Sequence, residues 1–312
     1  MEGTTENTQL EGSTAPPRFT ELTLDPSLYD PSPEQVAFFK QQTGIESDEE
    51  LKAHILSVQK EAWEIVHYIC IRTFGFTKLM ISRNPHYPEL LKLGRERPGA
   101  IYLEFACCFG NDARKAISDG FPMENVICSD IEEPFWNLGH KLFKTTQETF
   151  PLAFCPCDVF NTSHITPREP FYSPPETPRP LLSCLTSLNP LQGHVSVIHT
   201  AAFFHLFNKE EQIQAARKLA SLLSPEPGSM IFGAHSSQPA DGQREYTNAR
   251  GKRIYAFSPE QWEELWNGEI FKKGSVEVKS EIVERDLRMV GPMPALRDRK
   301  RAFAMWWCIK RL

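Results

Sequence analysis

The stretch IYLEFACCFGND, residues 101–112, decides how the rest of the chain is interpreted. It begins as a short apolar run with one acid, Glu104, which is typical of a buried strand, and small residues follow before a helix opens at Ala113. Small residues let a backbone approach a ligand closely, and the start of a helix offers unpaired N–H groups. An acid at the strand end would attract a positively charged group. Ordinary strand-to-helix turns share this form, so the stretch alone does not establish a ligand site.

From Ala100 onward, short apolar runs alternate with helical stretches, which is the pattern of a parallel sheet with crossover helices. The last two runs have no long helix pattern between them and should pair antiparallel at the sheet edge. The sequence therefore predicts an α/β fold with a doubly wound, mostly parallel sheet and an antiparallel edge strand. The predicted strands are residues 100–105, 125–129, 152–157, 195–200, 229–234, 276–283 and 301–310.

Acidic residues mark the ends of the first three predicted strands. Asp130 follows the second strand, where a doubly wound sheet places the carboxylate that accepts hydrogen bonds from two ribose hydroxyls. Asp158 follows the third, where an acid can accept from an adenine amino group while the adjacent Val159 packs on the ring. The carboxyl ends of parallel strands meet at one edge of a sheet, so these acids should lie near one ligand. Asp130 and Asp158 would equally suit helix N-caps.

The sequence before the sheet divides into two regions. Residues 1–31 combine low hydrophobicity with several prolines and predict a disordered tail. Apolar residues at three- and four-residue steps then predict a helical cap over residues 32–97. The sheet domain should occupy residues 98–312. Within it, seven prolines between residues 166 and 190 predict an extended insertion near the ligand side, either a rigid surface loop or a lid.

Composition excludes several classes of protein. A formal net charge of -6 argues against a nucleic-acid partner. The eight cysteines lie mostly in apolar runs without a CxxC pair, so we expect no metal site. The first 18 residues lack the apolar core of a signal peptide or membrane helix. These features predict a cytoplasmic protein without a membrane partner.

Three blocks of sequence together resemble a known family. The blocks are CCFGND (107–112), SDI (129–131) with FWNLG (135–139), and FFHLF (203–207) with LLSPEPGS (222–229). With their spacing, they resemble fungal class I S-adenosylmethionine-dependent methyltransferases of meroterpenoid and related secondary-metabolite biosynthesis. The resemblance implies a Rossmann-like sheet, S-adenosyl-L-methionine as the cofactor, and O-methylation of a small-molecule substrate, commonly at an aromatic or polyketide-derived carboxyl or hydroxyl group. It also allows a homodimer.

The strand ends and the resemblance together define a candidate cofactor site. One departure concerns Ala106, which stands where the family usually has glycine and adds a methyl group near the expected methionine moiety. If that methyl group prevents transfer, the alternatives are a methyltransferase-fold isomerase or cyclase, or a non-catalytic binding protein. The candidate cofactor-binding residues are Glu104, Ala106, Gly110, Asp112, Ser129, Asp130, Ile131, Asp158, Val159 and His199.

Two histidines are candidate catalytic residues. Methyl transfer mainly requires that the acceptor be positioned and water excluded. A carboxylate acceptor needs no general base, whereas a phenol or alcohol does. His199 and His205 lie at or just after the fourth predicted strand and are the candidate bases. His199 could instead contact the cofactor, and a purely structural role is open for both.

Overall fold

The computed structural model describes residues 22–248, 251–285 and 302–312. Within them, nine strands and nine α-helices follow one another along the chain. The strands are β1 (Ile101–Phe105), β2 (Val126–Ser129), β3 (Ala153–Phe154), β4 (Val195–Ala201), β5 (Met230–Ser237), β6 (Glu245–Thr247), β7 (Arg253–Tyr255), β8 (Val276–Arg285) and β9 (Ala302–Arg311). The helices are α1 (Pro33–Thr43), α2 (Asp48–Ile65), α3 (Ile69–Arg72), α4 (Met80–Arg83), α5 (Tyr87–Glu96), α6 (Asn111–Ser118), α7 (Glu133–Leu142), α8 (Lys209–Leu222) and α9 (Pro259–Trp266).

Seven strands form one sheet in the order β3-β2-β1-β4-β5-β9-β8. The first five are parallel, and β9 pairs antiparallel with both β5 and β8. All five residues of β1 are buried, because helices cover both faces of the sheet at its centre. The predicted doubly wound sheet with an antiparallel edge is therefore confirmed. We call the edge where the parallel strands end the carboxyl edge, and the opposite one the amino edge.

Some elements differ from the prediction. Strand β3 has only two residues, although six were predicted there. The hairpin of β6 and β7 and the helix α9 were not predicted. The hairpin residues are mostly exposed or half-buried, so its short strands lack the apolar runs that identify core strands.

Five helices occupy the region predicted as a cap. Ser32 begins α1 with a capping box to Gln35, and Ser47 caps α2. Phe39 of α1 stacks on Phe143, which follows α7, with ring centroids 5.3 Å apart, so these helices share an apolar core with the sheet domain.

The predicted tail is too long at its carboxyl-terminal end. Arg72 Nε donates to the Thr23 carbonyl at 2.8 Å, and the Tyr29 ring meets the Phe74 ring edge-on at 5.2 Å. Residues 22–31 therefore pack on the cap. Tyr29 supplies an apolar contact, although the residues around it are mostly polar. Residues 1–21 of the predicted tail lie outside the described part of the chain.

The proline-rich insertion crosses to the amino edge. A chain that leaves β3 at the carboxyl edge must return before β4 can begin, and here an extended segment makes that crossing in place of a helix. Arg179 donates to the Gly99 carbonyl at 3.3 Å and to Asn125 Oδ1 at 2.6 Å, just before β1 and β2. Tyr172 accepts a hydrogen bond from the Lys272 N–H at 2.7 Å. Of the two predicted alternatives, these contacts favour a surface loop at the amino edge over a lid at the ligand side.

A cavity of about 470 Å³ opens between the insertion and the amino edge. Its walls include Arg97, Tyr172, Arg179, His194 and Glu226. It lies away from the strand ends that carry the candidate cofactor residues. None of the helices in the described ranges combines the length and the apolar composition of a membrane-spanning segment.

Candidate functional site

The loop between β1 and α6 has an unusual backbone. We call residues 106–110 the cofactor loop, because two of the candidate cofactor-binding residues, Ala106 and Gly110, lie in it. Ala106, Cys108 and Gly110 have positive φ angles of 59°, 51° and 75°. A Cβ atom at Gly110 would lie 2.8 Å from the Trp136 ring, so only glycine fits there. The loop therefore turns tightly and leads straight into the start of α6.

Asp130 holds this loop from the end of β2. Its Oδ2 accepts from the Cys108 N–H at 2.7 Å, and its Oδ1 accepts from the Glu132 N–H at 2.9 Å. Burial raises the pKa of Asp130, while these backbone N–H groups act in the opposite direction. Each oxygen retains a second lone pair, which a ribose hydroxyl can use. The neighbouring Ile131 is 58% exposed, which leaves an apolar side chain available beside the carboxylate.

The next strand end presents a half-buried acid. Asp158 Oδ1 accepts from the Phe160 N–H at 2.8 Å, and the Asp158 N–H donates to His164 Nδ1 at 2.9 Å. Val159 is buried in the core. Ser129 is also buried, and its hydroxyl donates to the Cys155 carbonyl at 2.7 Å. The side chains of Val159 and Ser129 are thus buried in the protein interior next to the strand ends.

Glu104 belongs to a buried hydrogen-bonded cluster. His199 Nδ1 lies 2.8 Å from Glu104 Oε2, and the Tyr102 hydroxyl donates to the same oxygen. Strands β1 and β4 place Glu104 and His199 directly opposite each other in register. The side chains of this pair are 4% and 0% exposed, so the carboxylate of Glu104 faces its protein partners.

The charges in this cluster depend on one another. Burial lowers the pKa of His199, but the carboxylates of Glu104 and Asp112 outweigh burial and raise the pKa overall. Burial also raises the pKa of Tyr102 and keeps its hydroxyl protonated. The arrangement can therefore hold a proton on His199 beside Glu104. Within the described residues, Nε2 of His199 has no hydrogen-bond partner.

Asp112 faces the cap. Its Oδ1 accepts from the Ile81 N–H at 3.1 Å, and its Oδ2 lies 4.0 Å from His199 Nδ1. Burial is the main cause that raises the pKa of Asp112 to about 7. Ligand atoms of Glu104, Asp112 and His199 all lie within 4.8 Å of one another, a spacing that a metal ion could use. The hydrogen bond between His199 and Glu104 accounts for their proximity without an ion.

The two candidate catalytic histidines have different surroundings. His199 is fully buried beneath the carboxyl edge. His205 is half-buried in a single 3-10 turn, Phe204–Leu206, that follows β4. Of the two, His205 has the more accessible side chain. The sequence did not single out Tyr102, although its spacing of two residues from Glu104 places both on one face of β1. It also did not single out Asn111, which donates to the Phe76 carbonyl of the cap.

The donor set at the carboxyl edge fits S-adenosyl-L-methionine. Asp130 offers carboxylate lone pairs for ribose hydroxyls, and Ile131 offers apolar surface for the adenine ring. The loop passes so close to Trp136 at Gly110 that a Cβ atom would fill the space between them. This site on a sheet of five parallel strands with an antiparallel pair defines the class of the protein, a class I methyltransferase fold.

Comparison with known proteins narrows this class. A family model described as the meroterpenoid methyltransferase N-terminal domain matches residues 24–77. The Asnovolin E/Chermesin D methyltransferase nvfJ of Aspergillus novofumigatus is 30% identical over 222 residues, which cover 70% of this chain and 69% of nvfJ. The chain belongs to the family of fungal S-adenosylmethionine-dependent methyltransferases of meroterpenoid and related secondary-metabolite biosynthesis.

Other relatives match over a smaller share of their length. The O-methyltransferase phiE of Fungal sp. (strain ATCC 74256) is 29% identical over 68% of this chain, and the match spans 63% of phiE. The O-methyltransferase atr3 of Stereocaulon alpinum is 30% identical over 59% of this chain, and the match spans 47% of atr3. Among solved structures, the 1,6-didemethyltoxoflavin-N1-methyltransferase of Burkholderia thailandensis is similar at 12% identity with a TM-score of 0.46, over 86% of this chain and 92% of that one.

Proposed function

We propose that this chain is an S-adenosylmethionine-dependent O-methyltransferase that acts on a small-molecule carboxyl or hydroxyl group of polyketide or meroterpenoid origin. The observation that carries the proposal is the position of Asp130, whose carboxylate anchors the cofactor loop at the carboxyl edge. The names of phiE and atr3 as O-methyltransferases support transfer to oxygen. The family model over the cap supports a meroterpenoid substrate.

The residues of the carboxyl edge would bind the cofactor between them. Asp130 would accept from the ribose hydroxyls, while Ile131 and the half-buried Asp158 would contact the adenine ring and its amino group. The backbone of the cofactor loop would approach the methionine moiety. When bound, S-adenosyl-L-methionine supplies a methyl group on a positively charged sulfur, which is already a good leaving group.

The remaining task of the protein is to place the acceptor oxygen and exclude water. His205 is the candidate base for a hydroxyl acceptor, because its imidazole is half-buried beside β4. A carboxylate acceptor would need no base. Glu104 and His199, which are bonded to each other, are proposed to hold a buried proton beneath the site.

The alternative, a protein of this fold that no longer transfers a methyl group, depended on the presence of Ala106 where the family usually has glycine. Ala106 keeps a left-handed backbone with φ of 59°, the conformation that glycine would favour there, so its methyl group does not prevent the loop from turning. We retain the helical cap and sheet domain of the predicted organisation, with the cap beginning near residue 22. A homodimer and a cytoplasmic location remain predictions, which sedimentation of the purified chain and cell fractionation would test.

The decisive experiment is calorimetric titration of the protein with S-adenosyl-L-methionine and S-adenosylhomocysteine, followed by methyl-transfer assays on polyketide-derived acids and phenols. We expect micromolar binding that Asp130→Ala weakens by at least about tenfold, because a charged hydrogen-bond acceptor is lost. Glu133→Gln, which changes an exposed acid nearby, is the matched control and should bind normally. Binding without turnover on any acceptor would favour the isomerase or cyclase, and no binding by the folded protein would favour a protein of another function.

A further inference from the structure

The first two residues of α6 contact the cap with their side chains. Asn111 donates to the Phe76 carbonyl, and Asp112 accepts from the Ile81 N–H. Both side chains follow directly on the cofactor loop, where an acid and an amide could instead have faced a ligand. Their partners lie in a segment of the cap, residues 76–84, that includes α4. We call this the clasped segment.

We propose that Asp112 is a positioning residue that holds the clasped segment against the start of α6 and so couples the cap to the cofactor loop. The role in catalysis rests on the proposed function, whereas the contact itself does not. Helix α4 begins at Met80, so the carboxylate of Asp112 lies at its first turn, where backbone N–H groups have no partner within the helix. Ile81 is fully buried, and an unpaired N–H there would be costly.

Two further bonds define the clasped segment. The Asn84 side chain donates to the Gly233 carbonyl of β5 at 3.0 Å, and Gln35 of α1 donates to the Thr77 carbonyl at 3.1 Å. The segment is therefore tied to the sheet, to α1 and to α6. The ties to α6, from Asn111 and Asp112, come within two residues of Gly110 of the cofactor loop.

The buried cluster of Glu104 and His199 lies on the other side of the Asp112 carboxylate. Its Oδ2 lies 4.0 Å from His199 Nδ1, and its Oδ1 is the atom that reaches Ile81. A ligand that orders the cofactor loop also orders the start of α6, and a docked clasped segment orders the same turn. Each event should therefore strengthen the other, because coupling between two sites is reciprocal.

Hydrogen–deuterium exchange on the protein without cofactor tests the contact directly. In Asp112→Ala, we expect exchange in peptides covering residues 76–84 to rise about tenfold or more, as for the loss of one buried hydrogen bond. Asp112→Asn keeps an acceptor oxygen and should retain most of the protection. Asp119→Ala is the matched control: this acid lies just after the other end of α6 and accepts from the Tyr87 hydroxyl at 2.7 Å and from Lys115 Nζ at 2.6 Å, so its loss should loosen the region of residue 87 and the end of α6 but not residues 76–84.

Two further measurements separate this proposal from the proposed function. Exchange of the Ile81 amide in the unmodified protein should be slow, and exchange as fast as that of an exposed amide would overturn the proposal even if Asp112→Ala failed to fold. Equal loosening of residues 76–84 by Asp112→Ala and Asp119→Ala would also overturn it. Where S-adenosylhomocysteine binds, Asp112→Ala should raise its Kd severalfold and Asp112→Asn less. Failure of the unmodified protein to bind it would count against the proposed function and leave the exchange result intact.

Discussion

The carboxylate of Asp130 accepts a hydrogen bond from the backbone N–H of Cys108 at 2.7 Å, so the end of β2 holds the loop that leaves β1. Cys108 itself has a φ angle of 51°, in the left-handed region that non-glycine residues seldom adopt. The bond therefore helps to keep the cofactor loop in a conformation that its own sequence does not favour. Asp130 serves both the loop and the proposed ribose site.

Replacing Asp130 should lower stability as well as cofactor affinity. Asp130→Ala removes the acceptor of the Cys108 and Glu132 N–H groups, and we expect the free energy of unfolding to fall by about 1–3 kcal/mol. Urea denaturation measures this change. Asp130→Asn keeps one acceptor oxygen and should lose less. A change below about 0.5 kcal/mol for Asp130→Ala, the range of ordinary surface substitutions, would show that the bond does not stabilise the loop.

Much of the architecture was predictable because buried parallel strands are apolar runs. Strands β1, β2, β4 and β5 each begin within one residue of their predicted starts, and Asp130 follows β2 as expected. The carboxyl edge of a doubly wound sheet follows from this order alone. The N-caps Ser32 and Ser47 are also local features, since each accepts from the backbone N–H of the residue three positions ahead, at the start of α1 and α2.

What was not predictable depends on long-range register. Glu104 and His199 meet because β1 and β4 pair at that position, and residues 95 apart carry no local sign of their contact. The direction of the insertion depends on contacts such as that of Arg179 with Asn125, 54 residues away. Asp112 faces the cap instead of a ligand for the same reason. Local sequence patterns place such residues at the correct edge of the sheet but do not specify which side chains they contact.

The backbone of Ala106 provides a second prediction. Its φ angle of 59° costs an alanine roughly 1 kcal/mol relative to glycine. Ala106→Gly should therefore raise the free energy of unfolding by about 1 kcal/mol and leave cofactor binding intact or improved, as urea denaturation and calorimetry would show. Ala113→Gly in the buried part of α6 is the control and should destabilise by about 1 kcal/mol. Destabilisation by both substitutions would contradict the assigned strain at Ala106.

Breaking the buried pair of Glu104 and His199 should be severe. Glu104→Gln leaves the His199 ring without its carboxylate partner in a site that excludes water, and we expect a loss of about 3–5 kcal/mol. The pKa of His199 should fall in this variant, because Glu104 is a cause of its elevation. A double-mutant cycle with His199→Gln, in which guanidinium denaturation gives the free energy of unfolding of each variant, measures the coupling energy of the two side chains. Additive losses would show that the two side chains do not interact.

Stability should depend on pH through Asp112. Burial raises the pKa of Asp112 from its ordinary value of 3.8 to about 7, so the folded protein binds a proton that the unfolded chain releases. That contribution to stability is fully present below about pH 4 and is lost as the pH rises towards about 7. Asp112→Asn cannot ionise. The free energy of unfolding of the variant should therefore rise relative to that of the unmodified protein as the pH increases across this interval. Urea denaturation of both proteins at a series of pH values measures the difference, which cancels the titration of other carboxylates common to the two. A difference that stays constant with pH, or moves in favour of the unmodified protein, would mean that His199 keeps Asp112 ionised in the folded state.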